Sequence, residues 1–307
     1  MSKPIVVVGS INLDLVAVAA KIPAVGETVL GTDFQTHPGG KGANQAVAVA
    51  RLGYPVQMIG RLGDDAFGMQ LRNHLEKAGV GSEGMATSQG ATGVAVIAVS
   101  KKGENSIIVA PGANAKLTPQ DLEDNLGLIR RAGLVLAQLE IPLETIERLG
   151  EICWQEGVPL ILDPAPARAL PKEVLERAAW FTPNETEAAF YVGGEQDRPE
   201  TTAEALFDKG CRGLLLKMGE RGVFVAQERS GGRKVPAFPV QAVDSTAAGD
   251  AFNGAFAVGL MQGKSPLESA RFASAVAAIS VTRVGAQPSM PTIVDVESFL
   301  KEHEGSL

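Results

Sequence analysis

Residues 134–163 read LVLAQLEIPLETIERLGEICWQEGVPLILD, and their rhythm is strand, helix, strand. Leu134–Leu139 and Pro159–Asp163 are short apolar runs of strand length. Between them, Ile146, Leu149 and Cys153 share one helical face, and Gly157 closes that helix. Two buried strands joined by a helical crossover form a βαβ unit, whose strands must run parallel.

The same rhythm extends in both directions. Ile5–Val8 and Gly213–Met218 are further strands. Ala43, Val47 and Ala50 mark a helix ended by Gly53, and Phe67, Leu71, Leu75 and Ala78 mark one ended by Gly79. Thr118-Pro119 opens a helix with Leu122, Leu126 and Ile129 on its apolar face. Ser265-Pro266-Leu267-Glu268 is a capping box that starts a long helix. The expected fold is therefore α/β, a Rossmann-like three-layer sandwich with a mainly parallel sheet. Ligands of such sheets sit beyond the carboxyl ends of the strands.

One region departs from this pattern. Val94–Ser100 and Ser106–Ala110 flank Lys101-Lys102-Gly103-Glu104-Asn105, which reads as a hairpin. Leu15–Ala19 and Glu27–Leu30 are also strand-like. These four runs predict a small separate β-sheet, a lid over the active site whose free face would pair two subunits as a homodimer. The expected division is residues 1–13, 39–92 and 112–307 for the α/β body, and 14–38 and 93–111 for the lid.

The chain has 307 residues, enough for a large core, and a net charge of −7. This acidic balance, with no basic run, excludes a general nucleic-acid binder. No apolar stretch is long enough to span a bilayer, and the amino terminus lacks a signal peptide, so no membrane partner and a cytoplasmic location are expected. The two cysteines, Cys153 and Cys211, lack CxxC spacing and read as reduced thiols. Three scattered histidines make a zinc site improbable.

The segment richest in chemistry is Asp244-Ser245-Thr246-Ala247-Ala248-Gly249-Asp250-Ala251-Phe252-Asn253-Gly254. Small residues at Ala247, Ala248 and Gly249 precede a helix running to about Met261, so backbone N–H groups there can face an anion. Asp250, in the first turn, is placed to take a proton from an attacking hydroxyl while those amides hold a phosphoryl group. A plain first-turn carboxylate, favoured by the helix dipole, is the alternative. Lys41 among Gly39, Gly40 and Gly42 invites a P-loop reading, but Gly42 stands where Ser or Thr is required and Gln35 where Gly is. Gly9-Ser10-Ile11-Asn12-Leu13-Asp14 after the first strand is not GxGxxG, which disfavours a dinucleotide-dependent oxidoreductase.

Asp244–Phe252 resembles the carboxyl-terminal signature of the phosphofructokinase-B, or ribokinase-like, sugar kinases. Gly39-Gly40-Lys41-Gly42-Ala43-Asn44-Gln45-Ala46 with Gly60–Gly68 resembles the amino-terminal signature. Gly112-Ala113-Asn114-Ala115, Gln138-Leu139-Glu140, Pro164-Ala165-Pro166-Ala167-Arg168 and Thr182–Glu187 are similar to further family segments, in family order across nearly the whole chain. Ala247 stands where the family commonly has Gly, and the Ala-Ala-Gly-Asp form points to its ribose-phosphorylating branch.

The resemblance implies ATP-dependent transfer of a phosphoryl group to the 5-hydroxyl of D-ribose. Asp250 would be the base and Ala247–Gly249 the anion hole. The sugar would meet Asn12, Asp14, Gly39, Gly40, Lys41, Asn44, Glu140 and Asp250. The nucleotide side would comprise Asn184, Glu187, Lys217, Gly219, Gly222, Gly249 and Ser274, with Mg2+ on the phosphates. Asn184 and Glu187 also read as an N-cap and its box partner, and Lys217 replaces a position that is often Thr. A K+ ion would be held by Asp244, Thr246, Ser280, Arg283, Gly285 and Ser289, several through backbone oxygen, unless Asp244 pairs with Arg283 instead. The alternatives are another sugar or nucleoside kinase of the family (fructokinase-like or adenosine kinase-like) and a non-catalytic sugar or nucleotide sensor.

Overall fold

A computed structural model describes residues 2–229 and 231–303. The strands are β1 (Ile5–Val8), β2 (Asn12–Ala19), β3 (Gly31–Gly39), β4 (Val56–Gly63), β5 (Gly81–Ser88), β6 (Gly93–Ser100), β7 (Asn105–Ala110), β8 (Leu134–Gln138), β9 (Leu160–Asp163), β10 (Trp180–Phe181), β11 (Leu214–Lys217), β12 (Val223–Ala226) and β13 (Arg233–Val235). Nine form the main sheet in the order β13-β12-β11-β10-β9-β8-β1-β4-β5. Every pairing from β5 through to β11 is parallel, and the β11–β12 and β12–β13 pairings are antiparallel, so β12 alone is reversed. Alternate residues of β1 face opposite sides: Ile5 and Val7 belong to one apolar core, Val6 and Val8 to the other. Burial on both faces explains why these strands read as continuous apolar runs. Among the described residues, no helix is long and apolar enough to cross a membrane.

The helices Lys41–Arg51 and Ala248–Met261 pack against each other on one face of the sheet, with Gly42 to Val49 all buried. The two helices approach closely because Gly254 has no side chain; a β-carbon there would lie 2.7 Å from the Ala48 methyl. This contact brings the two signature segments together. In sequence they are some two hundred residues apart.

A second sheet of four strands has the order β3-β2-β6-β7. The second strand of this lid was expected at Glu27–Leu30; the structure puts it at Gly31–Gly39, paired antiparallel with β2. β3 reads GTDFQTHPG and is exposed over residues 31–36, so no burial demands an apolar pattern there. The helix expected from Thr118 is also two short helices, Pro119–Asp124 and Leu126–Arg131. They part at Asn125, whose side chain donates to the Asp121 carbonyl at 2.8 Å.

Candidate active site

The carboxyl ends of β1, β8, β9 and β11 and the start of the helix Ala248–Met261 converge on one crevice. At its centre Asp250 is 5% exposed. Its Oδ2 accepts from Asn44 Nδ2 at 3.0 Å and its Oδ1 from Gln45 Nε2 at 3.2 Å. Burial is the largest influence on its carboxyl and raises the pKa from 3.8 to about 6, with Asp163 adding to the rise and Lys41 opposing it. Such a carboxylate is ionised at neutral pH yet basic enough to receive a proton.

Ala247, immediately before that helix, has φ 58° and is the one non-glycine residue with positive φ among the described residues. No side chain caps this helix end. The Ala248 amide donates to the Ser245 carbonyl at 3.2 Å. The following first-turn amides, of Gly249 and Asp250, have no partner within the helix and stand open to an anion.

Around Asp14 and Glu140 several carboxylates gather close together. Asp14 lies directly over Gly39, whose missing side chain makes room for the carboxylate. Burial, followed by the charges of Glu140 and Asp250, raises Asp14 to about 7. Glu140 Oε2 accepts from Ser10 Oγ at 2.5 Å and from the Lys41 amide at 3.1 Å. Lys41 answers this charge: Asp250 first, then Asp163, Glu140 and Glu187, push its pKa up against the effect of burial. Asn12 Oδ1 accepts from Asn114 Nδ2 at 2.7 Å, and Asn114 Oδ1 accepts from the Ile11 amide at 2.9 Å.

On the other side, Lys217 ends β11 and its Nζ lies 3.0 Å from Asp163 Oδ1. A β-carbon on Gly249 would be 3.6 Å from that same Nζ, so Lys217 reaches the first turn of the Asp250 helix. Asn184 and Glu187 form a reciprocal capping box, at 2.8 Å in both directions. Gly219 and Gly222 have φ 57° and 84° in the turn between β11 and β12. Ser274, on the helix Pro266–Val281, is buried with its Oγ lacking a hydrogen-bond partner, so no hydrogen bond ties it to the other residues of the crevice.

The segment around Asp244 is cross-braced. Its carboxylate accepts from the Thr246 amide at 2.9 Å, the Thr246 hydroxyl at 2.6 Å and the Gly285 amide at 2.8 Å. Despite partial burial, these bonds hold its pKa below the usual value. Arg283 is turned away, 3.4 Å from Asp295, so the alternative Asp244–Arg283 pair is absent. Ser280 and Ser289 are fully buried, and the Ser289 hydroxyl donates to the Ala286 carbonyl at 2.7 Å. A donor set of carboxylate, hydroxyl and carbonyl oxygens fits a weakly hydrated monovalent cation. No group of three or more His, Cys, Asp or Glu among the described residues could cage a metal.

Several residues here escaped the sequence reading as individual site members. Gln45 Nε2 bridges two carboxylates, Asp250 and Asp163 (2.9 Å to Oδ2), while its Oε1 accepts from Gln138 Nε2 at 2.7 Å. Gln287 Nε2 donates to Asn44 Oδ1 at 3.0 Å. The signal was present for two of them: Gln138 and Asp163 are polar residues ending buried apolar strands, at the ligand edge of the sheet.

Comparison with known proteins places these features in context. The model of the pfkB family carbohydrate kinases matches residues 2–293. A ribokinase of Bacillus subtilis is 44% identical over 300 residues, covering 96% of this chain and 99% of its own. One from Haemophilus influenzae is 42% identical over 305 residues, covering 98% and 99%. The solved structure of Arabidopsis thaliana ribokinase complexed with ribose and ATP superposes with a TM-score of 0.93 at 37% identity, covering 98% of this chain and 99% of that one.

Proposed function

Because this chain belongs to the pfkB family of carbohydrate kinases and is an ATP-dependent ribose kinase, we propose that it phosphorylates the 5-hydroxyl of D-ribose with Asp250 as general base. The observation that carries this reading is Asp250 itself, buried at an open helix N-terminus and held by Asn44 and Gln45. As the ribose O5–P bond forms, the hydroxyl proton passes to Asp250. The bond from phosphorus to the β,γ-bridging oxygen breaks, and its electron pair leaves with ADP. Open amides at Gly249 and Asp250 face the charge that builds on the phosphoryl oxygens. Asn184 and Glu187 would hold Mg2+ through water, and the ion would neutralise phosphate charge. The test is a sugar panel with ATP, including ribose, deoxyribose and fructose. Ribose should give the highest kcat/KM; a preference for fructose or a nucleoside would replace ribose as the substrate.

Asp14 is assigned to the sugar hydroxyls, supported by its place over Gly39 at the crevice. Asp14→Ala is expected to weaken ribose by roughly tenfold or more, since a charge-assisted hydrogen bond contributes about 1.5–3 kcal/mol, and to leave ATP affinity unchanged. Calorimetry with each ligand checks this.

Potassium is assigned to the oxygen-lined segment of Asp244, Thr246, Ser280, Arg283, Gly285 and Ser289. Asp244 braces the loop that carries the anion-binding amides, so a cation there would fix their aim. At constant ionic strength, turnover should be faster in potassium than in sodium or a bulky organic cation, and Asp244→Ala should abolish that difference.

The lid's exposed apolar side chains, Phe34, Val96, Ile107, Ile108 and Val109, support a homodimer through this sheet. Sedimentation at micromolar concentration should show a dimer. Cys153 and Cys211 are free and buried, with burial raising both thiols to about 12, which suits the cytoplasm.

A further inference from the structure

β9 and β11 end at the same edge of the main sheet, separated only by the two-residue β10. Their last residues, Asp163 and Lys217, form an ion pair whose side chains are 2% and 13% exposed. A buried pair of this kind contributes little net stability, because desolvation offsets most of the attraction. It is also incompletely satisfied. An ammonium has three N–H donors, and Asp163 is the single partner of Lys217 Nζ among the described residues. The unspent donors lie beside Gly249, at the helix turn whose amides stand open. The other lysine of the crevice, Lys41, is surrounded by Asp250, Asp163, Glu140 and Glu187.

We propose that Lys217 is a catalytic residue of this enzyme: its ammonium, aimed by Asp163, meets the oxygens of the phosphoryl group during transfer. The inference rests on the kinase reading above and adds a charge to it. Lys217 exchanges no proton and forms no bond to phosphorus. It offers N–H donors to charge that is spread over the equatorial oxygens at the transition state. Asp163 is a positioning residue. It fixes the ammonium through Oδ1, while Oδ2 is fixed in turn by Gln45, the amide that also holds the base. One chain of contacts therefore sets the distance between the proton acceptor and the phosphoryl-binding cation.

Steady-state kinetics and thermal melts of four enzymes test this: wild type, Lys217→Met, Asp163→Asn and the double variant. Lys217→Met should lower kcat roughly 10²-fold, the scale for losing one preorganised donor, while the KM for ribose changes by less than about threefold. Asp163→Asn should lower kcat by a smaller factor, because the ammonium remains but is untethered. The double variant has no unpaired buried charge, so its melting temperature should return towards wild type while kcat stays low. A double variant with wild-type kcat would show the pair to be purely structural and overturn the proposal. An Asp163→Asn enzyme with wild-type kcat would remove Asp163 from it. A wild-type enzyme unable to phosphorylate ribose would overturn the kinase reading itself, a result distinct from either.

Discussion

Replacing Asp250 with Asn is expected to lower kcat by roughly 10²–10⁴-fold, the range for loss of a general base. At about 1.36 kcal/mol per factor of ten, this is about 3–5 kcal/mol of barrier. The substitution is nearly isosteric; one of the two donors, Asn44 or Gln45, can still reach the remaining oxygen, while the new NH2 faces the other. Asp14 and Glu140 stay in place, so ribose affinity should change by far less than turnover. The pH dependence supplies a second readout. With the Asp250 pKa raised to about 6, wild-type kcat/KM should fall tenfold per pH unit below that value as the base is protonated. The residual activity of Asp250→Asn should lack this limb and keep only the one due to Asp14, whose carboxyl burial raises to about 7. Stability should move the other way. A carboxyl whose folded pKa lies above its unfolded 3.8 favours folding fully below 3.8, and that contribution is lost as pH rises through about 6. Removing the charge therefore relieves this cost at pH 8, so any loss of melting temperature there should be no larger than the loss from the one mismatched amide donor. An Asp250→Asn enzyme with near-normal kcat would exclude Asp250 as the base.

The second large effect is expected at Gly40. Its φ of 87° and ψ of 131° lie where residues with a side chain are rarely found. A β-carbon there would also meet backbone on every near side: the Asn12 nitrogen at 2.7 Å, the Ser10 carbonyl at 2.9 Å and the Ile11 Cα at 3.0 Å. None of these atoms is the end of a flexible side chain, so the loop itself must shift. Backbone strain of about 1–3 kcal/mol and overpacking of about 1–3 kcal/mol put the cost of Gly40→Ala at roughly 2–6 kcal/mol. The displaced segment carries Lys41 and Asn44, and Asn44 holds Asp250. Ribose affinity should consequently fall at least tenfold and kcat should fall with it. Denaturant melts and ribose calorimetry on one preparation measure both. Gly53→Ala serves as a control: it too has positive φ, 74°, but a β-carbon there meets nothing within 4 Å.

The parallel architecture was legible because β1, β8, β9 and β11 are buried on both faces, and such strands must be apolar throughout. The helix from Ala248 to Met261 was readable from its small-residue start. β3 was misplaced for the opposite reason. An exposed edge strand that buries almost nothing leaves little pattern to read, and the nearest apolar residues, Val29 and Leu30, lie just before it. The break at Asn125 was hidden because Leu122, Leu126 and Ile129 keep helical spacing across it.

By itself the sequence determined the fold class, the two signature loops and the identity of Asp250 as the candidate base. These depend on local properties: apolar periodicity, glycine at tight turns and a carboxylate in a helix's first turn. Only the tertiary structure decided which distant groups meet that carboxylate. Asn44 and Gln45 reach it because Gly254 lets two helices close together, and Asp163 joins Lys217 because their strands end at one edge of the sheet. A group's proton affinity depends on burial and on charges within a few ångströms. In this chain those charges lie tens to hundreds of residues away along the sequence, and folding alone brings them into range.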